Sequence, residues 1–297
     1  MFNALLLTVL TALAVGESQP VKVDDRTEVK ITLKQDGIQV NWDCAESNMK
    51  YVSEYYKSNK FRWDFYKGEA LDCFYSPHSP ANSKKVAYPA YRIMTNPGNY
   101  FLRAFLAVSR PNPAVRHTIA QKADGWQAEW FFPFAAEETF DFRKNSKKNV
   151  TFVPGFNWSF KFSRRSQTSG KTVVTQSQVV TIPIPAEVIA PYRQVIFASL
   201  NHDKKGNGVV ISTAVRNTSG KEFTGKVRFY LHSGKDIKVV ATRDIRLPAK
   251  GAVRVSSPVD LPELAVKFSV HLEVVDQEDR PVRISAEMPV ENPWVEF

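Results

Sequence analysis

Two carboxylates stand inside apolar runs, and these are the first places to look for chemistry. Asp72 lies in LDCFYSP and Glu129 in GWQAEWFFPF. A carboxyl group desolvated in such a run has a raised pKa and can serve as a general acid. Polysaccharide hydrolases place two such acids across the scissile bond. The competing reading is an ion pair, because an unpaired buried charge is costly. GFNWSFKFSRR supplies a partner for Glu129. Its Trp158, Phe160, Phe162 and Arg164 recur at every second residue, so they share one face of a strand. Glu129 is therefore expected to form an internal ion pair with Arg164. No other catalytic arrangement is nominated. The histidines (His78, His117, His202, His232 and His271) are scattered, match no metal-ligand spacing and read as loop or surface residues. The chain has no nucleophile elbow, P-loop or dinucleotide fingerprint.

Cys44 and Cys73 leave two readings open. In an oxidising compartment they form one disulfide; otherwise they are two buried thiols. Two cysteines with no histidine cluster beside them do not make a zinc site.

The elements that must position these residues are mostly strands. EVKITLKQDGIQVNW alternates at Val29, Ile31 and Leu33, turns at Gln35-Asp36-Gly37, and alternates again at Ile38, Val40 and Trp42, which predicts a hairpin. In GWQAEWFFPF a strand sends Trp126, Ala128, Trp130 and Phe132 one way and Gln127, Glu129 and Phe131 the other. Residues 48–60 read as a helix, and Glu137 to Phe142 as a helical turn. Near residue 200 the aromatic density falls. Short alternating strands with turn residues between them then follow at even spacing, the pattern of a small immunoglobulin-like sandwich over 205–297.

Composition bounds the setting. Of 297 residues, 43% are hydrophobic and 24% charged, a globular balance, and aromatics reach 12%, which suits strands and surfaces that stack on rings. Leu5 to Val15 is apolar but too short to span a bilayer. Small residues Ala14 and Gly16 stand at the −3 and −1 positions of a cleavage site at its end, so residues 1–16 read as a secretory signal peptide, although no basic residue precedes the run. The chain is thus expected in a secreted or cell-envelope location, with no later transmembrane segment. A net charge of +10 in that setting favours an anionic polysaccharide or the envelope over nucleic acid.

Over about residues 27–200 the order of motifs resembles family-nine carbohydrate-binding modules and their DOMON-like relatives. Tyr66 stands ahead of Asp72-Cys73-Phe74, and Tyr91-Arg92 follows. Gly125, Trp126, Glu129 and Pro133 match a Gly-Trp-x-x-Glu strand running into proline. Trp158 and Arg164 match the next strand, where Lys161 replaces the family's Asn. TIPIPAEVIAPYRQVIF is similar to the closing strands. The resemblance implies a non-catalytic jelly-roll-like β-sandwich without cofactor that binds a polysaccharide or the end of a glycan chain. Tyr66 would be the stacking aromatic, Asp72 the acceptor and Arg92 the donor. Two departures stand out. Met94 occupies the place of a polar contact, and TSGKTVVTQSQVV lacks the second stacking aromatic. Some DOMON-like relatives hold haem between Met and His, which would nominate Met94 with His117, but a Met on an aromatic-rich strand is ordinarily core packing. The expected whole is all-β: a jelly-roll-like sandwich followed by a smaller immunoglobulin-like one that offers an envelope or enzyme partner a surface.

Overall fold

The computed structural model describes residues 13–58, 68–81, 85–86, 91–104, 112–136, 138–141, 149–168, 171–205, 208–261 and 268–290. Tyr66 and the expected signal segment before residue 13 lie outside them. Two compact units emerge. One comprises Met1–Leu102, His117–Trp130 and Gly155–Val188; the other comprises Arg103–Arg116, Phe131–Pro154 and Ile189–Phe297. Both are built from antiparallel sheets, and the fold is an all-β sandwich. Among the described residues no helix is long and apolar enough to cross a membrane.

In the first unit the chain runs β1 (Ser18–Asp24), β2 (Thr27–Leu33), β3 (Gly37–Ala45), α1 (Met49–Ser58), β4 (Ala70–Ser76), β5 (Tyr91–Asn96), β6 (Tyr100–Ala104), β7 (Arg116–Gln121) and β8 (Gly125–Pro133). The strands β9 (Glu138–Asp141) and β10 (Asn149–Phe152) pair with each other in the second unit. Glu138–Asp141, the described part of the segment expected as a helical turn, is therefore extended; pairing from Glu138↔Phe152 to Asp141↔Asn149 supplies the backbone partners a lone turn would lack. The first unit resumes with β11 (Asn157–Thr168), β12 (Lys171–Gln176) and β13 (Val180–Pro183).

One sheet has the order β1-β2-β3-β8-β7, the other β12-β11-β4-β5-β6 with β13 also on β11. The predicted hairpin is β2–β3, closed by Lys34 N donating to Gly37 O at 2.8 Å. Alternation does what period-2 patterning requires. Val29, Ile31, Ile38 and Val40 are buried on the inner face of one sheet, and Phe160 and Phe162 on that of the other. Trp42 joins the layers edge-on, 5.1 Å from Trp130 in its own sheet and 5.2 Å from Phe162 across the core. The first sandwich begins with β1, ahead of residue 27, because β1 pairs along β2 from Ser18↔Thr32 to Asp24↔Thr27.

The second unit continues with β14 (Val195–Lys205), β15 (Gly208–Asn217), β16 (Phe223–Ser233), β17 (Asp236–Leu247), β18 (Ala252–Asp260), β19 (Phe268–Val275), β20 (Pro281–Ile284) and β21 (Met288–Val290). A three-stranded sheet β14-β15-β18 faces β17-β16-β19-β20, with β21 also on β19. Phe197, Ile211, Val227, Phe229, Val270 and Leu272 are among the buried residues of one shared core. Because β14 pairs with β15 from Val195 onward, this sandwich starts ahead of residue 205.

Gly125 opens β8 against the end of β3, where a Cβ would sit 2.1 Å from the Cys44 carbonyl oxygen. The obstacle is backbone, so it cannot swing aside. Gly125→Ala is expected to destabilise the first unit by about 2–3 kcal/mol, measured as a lowered denaturation midpoint at unchanged m-value.

Candidate functional site

Strand register on the first unit's second sheet brings two of the expected site residues together. Asp72 lies opposite Met94 and Phe74 opposite Arg92, so Asp72 and Arg92 are diagonal neighbours on the outer face. Arg92 Nε donates to Asp72 Oδ1 at 2.9 Å and Nη2 to Oδ2 at 2.5 Å, a two-point charge-assisted pair. The Asp72 side chain is 4% exposed and that of Arg92 24%. The guanidinium carbon also lies 5.1 Å from the Phe74 ring centre. Phe74 is 38% exposed, an aromatic plane at the surface beside a fixed donor and acceptor. In the sequence Phe74 figures only as part of a motif; its outward direction follows from alternation with buried Cys73 and Tyr75. On the outward positions of β4, β5 and β11, Asp72 is the one acid among the described residues. Met94 is buried against Ala70 here, while the half-buried His117 lies on β7 of the other sheet, so the two do not form a haem ligand pair.

The expected Glu129–Arg164 pair is not formed. Glu129 is exposed: Trp126, Ala128 and Trp130 fill the core face of β8 and Glu129 lies on the other. Arg164 points inward from the opposite sheet, and its side chain has no solvent exposure. Its acidic partners come from segments just outside β3 and β4, and its neutral ones from the start of β2. Nη2 donates to Glu46 Oε2 at 3.2 Å and to Glu69 Oε2 at 3.1 Å, Nε to Glu69 at 3.2 Å, and Nη1 to Thr27 Oγ1 at 3.0 Å and to the Arg26 carbonyl at 3.2 Å. No motif marked Glu46 or Glu69, since each lies in a short link flanking a strand.

The two cysteines are free and buried, the second of the two arrangements their sequence allows. Both point into the core, but Cys44 belongs to β3 and Cys73 to β4, in facing sheets. Burial pushes the Cys44 thiol up to about 12 and that of Cys73 well above its ordinary value.

Two further places hold polar groups. A cleft of about 650 Å³ beside the β1–β2 turn carries Asp24, Glu28, Asp43 and Asp124, with Lys22, Arg26 and Lys122 among them. Its charges pair with one another, as Lys22 with Asp25 at 2.6 Å and Lys122 with Asp43 at 3.5 Å, and no aromatic lines it. In the second unit His232 and His271, expected as separate loop or surface residues, meet on β16 and β19 with Nε2 and Nδ1 2.5 Å apart. His271 stacks on Tyr230 at 4.4 Å, and Tyr230 donates to Glu273 at 2.7 Å. Burial, then the neighbouring His232, lowers the His271 pKa to about 3. Among the described residues no group of three or more metal-binding side chains converges.

No family model matches the chain, and no curated protein matches it. Solved structures show weak likeness. A DUF3823 family protein from Bacteroides ovatus gives a TM-score of 0.29 at 13% identity, covering 61% of this chain and 91% of its own. A DUF4785 family protein from Legionella pneumophila gives 0.27 at 10% identity, covering 90% and 57%. A GH2 beta-galacturonidase from Eisenbergiella tayi bound to galacturonate gives 0.27 at 10% identity, covering 96% and 45%. The chain thus spans about half the length of the last two. Scores this low assign neither fold nor function; the sandwich rests on the sheets themselves.

Removing the Arg164 guanidinium leaves Glu46 and Glu69 buried together. Arg164→Ala is expected to cost about 3–5 kcal/mol, read from chemical denaturation of the first unit. The histidine pair sets a pH dependence in the second. His271 titrates at about 3 when folded against 6.5 when free, so below pH 6.5 the unfolded chain binds the extra proton. Stability is full above that value and falls with decreasing pH towards 3; His271→Phe, which keeps the stack on Tyr230, should flatten that fall in melting curves taken between pH 7 and 4.

Proposed function

We propose that the first sandwich is a non-catalytic carbohydrate-recognition module, exported or held at the cell envelope, that binds polysaccharide or glycan chain ends at the outer face of β4 and β5. The observation that carries this reading is the Asp72–Arg92 pair set beside the half-exposed ring of Phe74. A pyranose presents a C–H face that packs on an aromatic plane, while its hydroxyls need donors and acceptors fixed in direction. Mutual pairing fixes Asp72 and Arg92 without rotamer freedom, so little ordering remains to be done when a sugar arrives. Phe74 supplies the plane, and the resemblance adds Tyr66 as a second one. The second sandwich serves as a spacer or as the surface that meets an envelope component or a polysaccharide-degrading enzyme.

A scaffold that binds no sugar is the rival reading. It draws on the same pair, because an Arg92 fork already taken by Asp72 also fits a purely structural role. Affinity electrophoresis on gels containing plant and bacterial polysaccharides separates the two. Wild type should be retarded in at least one gel, and Phe74→Ala and Tyr66→Ala should each lose most of that retardation while keeping the wild-type melting temperature. A wild-type protein that migrates freely through every gel establishes the scaffold.

A further inference from the structure

The register across three strands says more about which glycan this face fits. Lys161 on β11 lies opposite Phe74 on β4, and Phe74 lies opposite Arg92 on β5. Directly opposed residues share a face, so one row reads cation, aromatic ring, cation, each step about 4.8 Å. The charges at its two ends are not equivalent. Arg92 is neutralised by Asp72, whereas Lys161, partly exposed, forms no ion pair with any described residue. Arg165 follows four residues along β11 on the same face, opposite Ala70. The exposed ring is thus bordered on one side by a compensated pair and on the other by an uncompensated ammonium.

Resting on the sugar-binding reading, we infer that this face selects an anionic pyranose, with the ring stacked on Phe74 and its carboxylate or sulfate ester reaching Lys161. A ring centred on Phe74 places an equatorial substituent roughly one strand spacing to the side, which is where the Lys161 column runs. A strongly hydrated ammonium gains little from a neutral hydroxyl but forms a charge-assisted bond with an oxyanion. Asp72 keeps that anion off the other end of the row, so the row also orients the sugar. The net charge of +10 favours the encounter with a polyanion at low ionic strength.

Affinity electrophoresis at 150 mM salt tests this with four polymers: polygalacturonate for the carboxylate, dextran sulfate for the sulfate ester, and amylose and dextran as neutral counterparts. Wild type should be retarded by a charged polymer far more than by either neutral one, and whichever charged gel retards it identifies the anion. Lys161→Gln should weaken that binding about tenfold, Lys161→Arg should preserve it, and Phe74→Ala should abolish it. Lys238→Gln on β17, an exposed lysine of the other unit, should change nothing. Equal retardation by amylose or dextran that depends on Phe74 but not on Lys161 overturns the anionic assignment and leaves sugar binding standing. Free migration through all four gels overturns both. Equal losses in Lys161→Gln and Lys238→Gln show diffuse charge attraction and overturn the site.

Discussion

A guanidinium buried completely between two sheets is the constraint on which the first unit turns. Arg164 lies at no solvent exposure on β11, a strand that pairs with β4, β12 and β13. Such a charge is tolerated only where acceptors converge on it, and here they come from separate places: Glu46 past β3, Glu69 before β4, and the turn leading into β2. The pair network therefore ties β11 to the end of β4 in its own sheet and to the ends of β2 and β3 in the other. It acts as a lock on placement more than as a source of net stability, since buried ion pairs roughly balance their own desolvation.

What the lock holds is register. Side chains alternate with period two, so a slip of β11 by one residue would drive Lys161 and Arg165 into the core and expose Phe160 and Phe162. With Arg164 pinned inward, Lys161 must face out. The opposition of Lys161, Phe74 and Arg92 then follows from ordinary antiparallel pairing. An internal ion pair on one face of the strand thereby sets the composition of a surface on the other. The Asp72–Arg92 couple works locally in the same way, diagonal across β4 and β5.

Much of this was legible in the sequence where the information is local. The hairpin at Gln35-Asp36-Gly37, the helix beginning near residue 48, the two alternating faces of GWQAEWFFPF and the shared face of Trp158, Phe160, Phe162 and Arg164 all follow from spacing alone. What failed depended on which strand lies beside which. Glu129 was matched to Arg164 because both sit in apolar strands, but a strand has two faces, and Glu129 occupies the solvent side of its own. Glu46 and Glu69 carry no periodic signal. His232 and His271 converge only because β16 and β19 are neighbours, with Tyr230 opposite His271. The segment at Glu138–Asp141 became a strand because β10 pairs with it, a partner no local propensity announces.

The unbridged cysteines have a wider consequence. No cross-link joins the two cysteines, and the layers of the first unit are held by packing and by the Arg164 ion pairs. Desolvation keeps both thiols protonated, and thiols in that form react slowly with alkylating agents and peroxides. They become reactive only when the layers part. Cys44 on one sheet and Cys73 on the other are thus built-in reporters of breathing in this core, one for each of its walls.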